Sequence, residues 1–314
     1  MHPARLLLLL LLAVAVIGAT ADDRPVFMNV TCSAPWNYTD SSPFGKNVAE
    51  LLTALSTPPP ATVGNHWWFR SHTVGAAPDQ VSGLAMCYAD ADEERCLNCI
   101  NSAKYINVAR CDHSRSVSFL SSVGCAIRYA DAPFFGSADS GAGAGARLIL
   151  TSLVPTSASM REARRGLLSQ LAERAGGDAL RFANGSQRYK DADDMDGAWQ
   201  VMYGMAQCTR DLPLSECSSC LIDLLAVMYE DVDVTNSTSA SVMGVSCYLM
   251  YQMEPINFIA GMVAVPPAAP PAEPPTGSAA ASPPAPPVGN IFLGLCISSM
   301  CNAFLYKKKL NVQI

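Results

Sequence analysis

At 314 residues and a formal net charge of −6, with no basic cluster beyond Arg161, Arg164 and Arg165 apart from three lysines near the C-terminus, the chain lacks the footprint of a nucleic-acid binder. Those three arginines read as the solvated face of a helix. Twelve cysteines are the other compositional signal, and their meaning depends on the compartment.

The N-terminus indicates that compartment. His2 and Arg5 precede an apolar run from Leu6 to Ile17, and Ala19-Thr20-Ala21 offers a small-x-small cleavage site, so residues 1–21 read as a signal peptide. The run is shorter than the ~20 apolar residues a membrane span requires. The mature chain then begins near Asp22 and matures where disulfides form. Four Asn-x-Ser/Thr sequons, at Asn29, Asn37, Asn184 and Asn236, are candidate N-glycosylation sites on that route.

The pattern Cys-x8-Cys-x2-Cys occurs at Cys87, Cys96 and Cys99 and again at Cys208, Cys217 and Cys220; a further cysteine follows each copy, Cys125 and Cys247. A tandem of two related modules is the reading. In chain order, module one offers a helix over Phe44 to Leu55, with Val48, Leu51, Leu52 and Leu55 at helical spacing. Strand-like segments follow over Trp67 to Val74 and Leu84 to Tyr88, then a cysteine-bearing helix over Glu93 to Ile106 and a strand over Ser116 to Tyr129. Module two repeats the order: a helix over Ala158 to Arg174, strands over Gly185 to Lys190 and Trp199 to Cys208, a helix over Leu214 to Tyr229, and a strand over Ala240 to Tyr251. Helices and an antiparallel sheet in each module make an α+β class. Gly136 to Ala146 reads as the linker. Residues 264–288, proline-rich from Pro266 to Pro287, read as an extended stalk. Val288 to Tyr306 is mostly apolar and precedes Lys307, Lys308 and Lys309, as a membrane segment with positive-inside charges would. Asn290 and Asn302 weaken that reading, and a soluble tail is the alternative; Cys296 and Cys301 have no counterparts in the repeats.

Zinc sites need two close cysteine pairs near one another, and here the Cys-x2-Cys pairs lie in different modules, so structural disulfides are expected. Module two lacks counterparts of Cys32 and Cys111. A bridge lost from a repeat loses both ends, so Cys32–Cys111 is the natural private pair of module one. The cleaner pairing of the rest is Cys87–Cys96 with Cys99–Cys125, repeated as Cys208–Cys217 with Cys220–Cys247.

These cysteines, with Gly83-Leu84-Ala85-Met86-Cys87 before the first triplet and Cys125-Ala126-Ile127-Arg128-Tyr129 after it, resemble the plant ginkbilobin-homologous (salt-stress/antifungal) domain. The resemblance covers 24–136 and 148–256. Tandem copies are the layout of cysteine-rich repeat secretory proteins, of cysteine-rich receptor-like kinase ectodomains and of plasmodesmata-located proteins. It implies two helices packed on a five-stranded antiparallel sheet in each module, with the same bridges. No kinase signature motif occurs within these 314 residues. The single-domain antifungal member holds mannose with an asparagine, an arginine and a glutamate; the matching positions here are Ser33, Phe119 and Ala130. A shifted alignment offers Arg115, and module two offers Ser241 and Gln252. Because the chain departs from the triad, no sugar-binding residue is carried over.

Other motifs favour plain readings. Gly141, Gly143 and Gly145 connect no strand to a helix, so a dinucleotide loop is disfavoured. Asp191, Asp193, Asp194, Asp196 and Gly197 resemble a calcium loop, but aligning Gly197 puts Ala192 first and Tyr203 twelfth, where carboxylates are needed. His66, His72 and His113 sit in no catalytic context. Trp67 and Phe69 share a strand face, and Trp68 takes the other, either in the core or towards a partner. No metal or cofactor is expected. The expected function is a secreted, non-catalytic recognition protein of the apoplast in plant defence or stress signalling, binding an extracellular protein or glycan. The alternatives are a single-pass protein of plasmodesmata or receptor type, tethered by Val288 to Tyr306, and a secreted antifungal mannose-binding lectin.

Overall fold

A computed structural model describes residues 26–32, 37–57, 69–139, 147–152, 154–191, 197–258 and 311–313. Module one runs β1 (Met28–Cys32), α1 (Pro43–Ser56), β2 (Phe69–Val74), β3 (Val81–Cys87), α2 (Glu93–Cys111), β4 (Val117–Ser121) and β5 (Cys125–Ala130). Module two runs β6 (Arg147–Thr151), α3 (Ala158–Gly177), β7 (Phe182–Tyr189), β8 (Gln200–Cys208), α4 (Leu214–Glu230), a short α5 (Val232–Thr235), β9 (Ala240–Gly244) and β10 (Cys247–Gln252). The sheets have one topology: β1-β4-β5-β3-β2 and β6-β9-β10-β8-β7, antiparallel throughout. A three-residue strand, β11 (Asn311–Gln313), pairs with the β6 edge and extends the second sheet to six strands.

Local chemistry sets the helix starts. Ser42 accepts from Gly45 N ahead of Pro43, Asp92 accepts from Arg95 N, and Ser157 accepts from Met160 N, each satisfying one orphan donor of a first turn. Val48, Leu51, Leu52 and Leu55 of α1 are buried, as are Leu167, Leu168 and Leu171 of α3, so each helix lays one apolar stripe on its sheet. Full burial of one such leucine contributes about 2 kcal/mol. The approach is close enough to need glycine beneath it. A Cβ on Gly83 would lie 2.7 Å from Leu51 Cδ2, and one on Gly204 would lie 3.0 Å from Leu171 Cδ1.

The segments read as one strand each, Ser116 to Tyr129 and Ala240 to Tyr251, are hairpins. Their alternation of apolar residues continues through the turn, which hides the break. Gly124 (φ +137°) closes the first turn, and a two-residue turn of buried Val245 and Ser246 closes the second. The edge strands β1 and β6 have no clear signal of their own, since their inner positions are short and mixed. Trp67 and Trp68 lie outside the described residues; Phe69 is partly buried against Leu84, Ala130 and Phe134. The stalk and the apolar segment 288–306 also lie outside. No helix among the described residues is long and apolar enough to cross a membrane.

Five disulfides staple the modules: Cys32–Cys111, Cys87–Cys96 and Cys99–Cys125 in the first, Cys208–Cys217 and Cys220–Cys247 in the second, with Cα–Cα distances of 5.5 to 6.1 Å. In each module the Cys-x2-Cys pair ties the first turns of α2 or α4 to two different strands. Its first cysteine bonds the end of β3 or β8, and its second bonds the start of β5 or β10.

Candidate functional site

Strand alternation divides each sheet into a face that carries helices and a face that does not. The helix-free faces bury each other. Met86, Leu120 and Ala126 of module one share one core cluster with Leu148, Met205, Met243 and Met250 of module two. A small polar set locks this junction. Gln207, fully buried on β8, accepts from Ala89 N at 2.9 Å and donates to Cys87 O at 3.0 Å, so one side-chain amide satisfies two main-chain groups of the other module. The rings of Tyr88 and Tyr248 stand 4.5 Å apart, and the Tyr248 hydroxyl donates to Asp90 Oδ2 at 3.2 Å. At the sheet edges, Asn29 Nδ2 donates to Arg147 O at 2.9 Å.

Burial, and then the nearby Asp90 carboxylate, push both phenols upwards from the ordinary tyrosine pKa. A raised native pKa means that the folded state keeps its proton where the unfolded chain has begun to lose it. The stability this contributes is full below the unfolded value of about 10 and is lost as pH rises above it. The melting temperature should therefore fall steeply beyond about pH 10, and Tyr248→Phe should flatten part of that fall. An unchanged slope in the variant would remove Tyr248 as a cause.

The linker is less free than its composition suggests. Gly136 N donates to Asp211 Oδ2, Ala138 N to Glu216 Oε2 and Asp139 N to Ser246 Oγ, so module two holds the start of the 136–146 segment against itself. Residues 140–146 lie outside the described set.

The positions aligned with the mannose triad do not converge. Phe119 is buried on the helix side of β4, whereas Ala130 lies on the opposite face of β5; Ser33 lies outside the described residues. Arg115 is engaged in the fold. Its Nε donates to Asp131 Oδ2 at 2.8 Å, its Nη2 donates to Pro78 O at 3.1 Å, and its guanidinium lies 3.7 Å from the Phe44 ring centroid. Ser241 and Gln252 sit on β9 and β10 of module two, on the helix-free face. Among the acidic residues that resemble a calcium loop, Asp191 accepts from the N-cap hydroxyl of Ser157, and 192–196 lie outside the described residues. No cluster among the described residues could hold a metal ion. Of the sequons, Asn37 and Asn236 are exposed, whereas Asn29 and Asn184 lie on strands and are partly buried.

The reading of Arg161, Arg164 and Arg165 as one solvated face needs correction. Arg161 and Arg165 are exposed, but Arg164 is 3 % exposed. Its Nη1 donates to Val234 O at 3.0 Å and to the Tyr251 hydroxyl at 2.9 Å; the single proton of that hydroxyl faces Val234 O and Ser237 O, each at 2.9 Å. The long arginine stem lets a charged residue hold an inward helical position that spacing alone could not separate from its neighbours. Module one reaches the same corner differently, since Tyr129 donates to Ser114 O at 2.8 Å.

The salt stress response/antifungal family matches residues 31–132 and 153–254. The chain belongs to that family. An antimicrobial ginkbilobin-2-like protein of Castanea crenata is 27% identical over 226 residues, covering 71% of this chain and 86% of the relative. Cysteine-rich receptor-like protein kinase 6 of Arabidopsis thaliana is 27% identical over 237 residues, and the chain spans 33% of that kinase's length. Cysteine-rich repeat secretory protein 38 of Arabidopsis thaliana is 25% identical over 81% of its length and 70% of this chain. The tandem DUF26 ectodomain of the Arabidopsis thaliana cysteine-rich receptor-like protein PDLP8 superposes with a TM-score of 0.52 at 24% identity, covering 72% of this chain and 96% of that one. That likeness concerns the fold. As in the secreted and ectodomain relatives, the two salt stress response/antifungal domains are extracellular α+β modules stapled by disulfides.

Proposed function

We propose that the protein is a non-catalytic recognition module acting outside the cell in plant defence or stress signalling, with an extracellular protein or glycan as its partner. The observation that carries this reading is the mutual burial of the helix-free sheet faces around Gln207, Tyr88 and Tyr248. Burial of those faces joins two repeats into one body and leaves the helix-bearing faces and the edges for contact. The secreted and receptor-like relatives support the setting, and the ten cysteines of the two modules, being bonded, serve the scaffold rather than chemistry.

The test is binding of the labelled, secreted protein to isolated cell walls and plasma membranes. Saturable binding that unlabelled protein competes away is the expected result; linear, uncompeted uptake would overturn the reading. Carbonate-resistant pelleting of the protein made in its own tissue would instead indicate a tether through 288–306.

A further inference from the structure

The Arg164 corner opens into a cleft of about 220 Å³ lined by Ala158, Arg161, Glu162, Arg164, Arg165, Tyr229 and Thr235. Three guanidinium groups against one carboxylate give its walls a positive balance. Arg164 is the unusual member. It is almost wholly buried, its described partners are two main-chain carbonyls and a phenol, and its Nε has no acceptor among the described residues. Among the described residues no carboxylate lies within ion-pairing distance of it. A guanidinium withdrawn from water gains most from an anion, ideally a planar one that two N–H groups can grip.

Comparison of the two repeats shows what is missing. Phe44 stands to Leu51 in α1 as Arg164 stands to Leu171 in α3, because Leu51 and Leu171 pack against the equivalent glycines Gly83 and Gly204. Module one places its guanidinium over Phe44 from the neighbouring loop, as Arg115, and supplies the carboxylate itself, as Asp131. Tyr129 stands to Cys125 as Tyr251 stands to Cys247, so Asp131 corresponds to Met253. Module two therefore has a cation at this corner, with Met253 standing where module one has its acid.

We infer that the cleft binds a carboxylate carried on a small polar ring, a uronic-acid unit, whose carboxylate supplies the buried Arg164 guanidinium with the acid it lacks. Arg161 and Arg165 flank Arg164 from the exposed side. Tyr229, with Arg165 Cζ 4.5 Å from its ring centroid, provides an aromatic wall for a sugar ring. The inference rests on the recognition reading and deepens it by naming a ligand for one face.

The full secreted chain, with N-glycans trimmed because Asn236 adjoins the lining residue Thr235, would be titrated calorimetrically with trigalacturonic acid. Saturable one-to-one binding that weakens with added salt is expected. Arg161→Ala with Arg165→Ala should reduce the affinity about tenfold or more, since each removes a charge-assisted contact. Both residues are exposed, so the melting temperature should hold. The neutral trisaccharide of galactose should not bind. Absence of saturable binding by the wild type, or affinity unchanged in the double variant, would overturn the inference. Competition by acetate or by an acidic peptide as effective as that by the trisaccharide would also overturn it. Saturable cell-wall binding that survives in the double variant would remove this site and leave the recognition reading standing.

Discussion

Replacing Gln207 with leucine should lower the stability of the protein by about 3 kcal/mol and loosen the coupling between its modules. The side chain is fully buried, and leucine fits a comparable volume, so the loss falls on hydrogen bonding rather than on packing. Two main-chain groups of module one, Ala89 N–H and Cys87 C=O, lose their partner while remaining inside an apolar junction. Each stranded group costs about 1–3 kcal/mol, whereas a bond exposed to water would cost much less. Because both groups belong to the other module, the expected signature is more than a lower midpoint. The calorimetric transition should broaden or divide as the second module opens ahead of the first. Scanning calorimetry of Gln207→Leu against the wild type measures this. A change below about 1 kcal/mol with an unaltered transition shape would show that the apolar contacts alone hold the junction.

The register position corresponding to Gln207 in module one is Met86, also buried. This pair shows why much of the architecture was legible and the junction was not. The doubled cysteine spacing and the leucine stripes of α1 and α3 report local geometry, and local geometry repeats in both modules. The amide of Gln207 has meaning only against a main chain roughly 120 positions away, and its residue type fits a half-exposed strand equally well. Arg164 was hidden for the same reason: between Arg161 and Arg165 it shares their composition, and only its packing against Tyr251 distinguishes it. The two hairpins were hidden by a different cause. Val123 and Val245 are apolar residues inside turns, so alternation runs on where the chain reverses. The signal present was Gly124, whose positive φ closes the first turn, but module two uses Val245 and Ser246 without such a glycine.

The second large effect is expected in module two when Cys220 and Cys247 are both replaced by alanine. The bridge spans a sequence separation of 27, and on chain-entropy grounds its closure of the unfolded loop contributes about 3.5 kcal/mol. Both sulfurs are buried, so truncation adds a small packing loss of about 1 kcal/mol. The equivalent change in module one, at Cys99 and Cys125, removes a loop of nearly the same size, with a separation of 26. The two losses should therefore be similar as free energies and different in consequence. Module one retains two bridges, including Cys32–Cys111 with its separation of 79, whereas module two retains only Cys208–Cys217, a short closure of 9. Its remaining restraint at that corner is the Arg164–Tyr251 hub, which acts only in the folded state and does nothing to restrict the unfolded chain. Denaturant unfolding under oxidising conditions should give a midpoint lowered in both variants. Limited proteolysis should then cut the Cys220/Cys247 variant first, between α3 and β10. Cleavage that begins in module one in both variants would mean that the third bridge does not set the order in which the modules open.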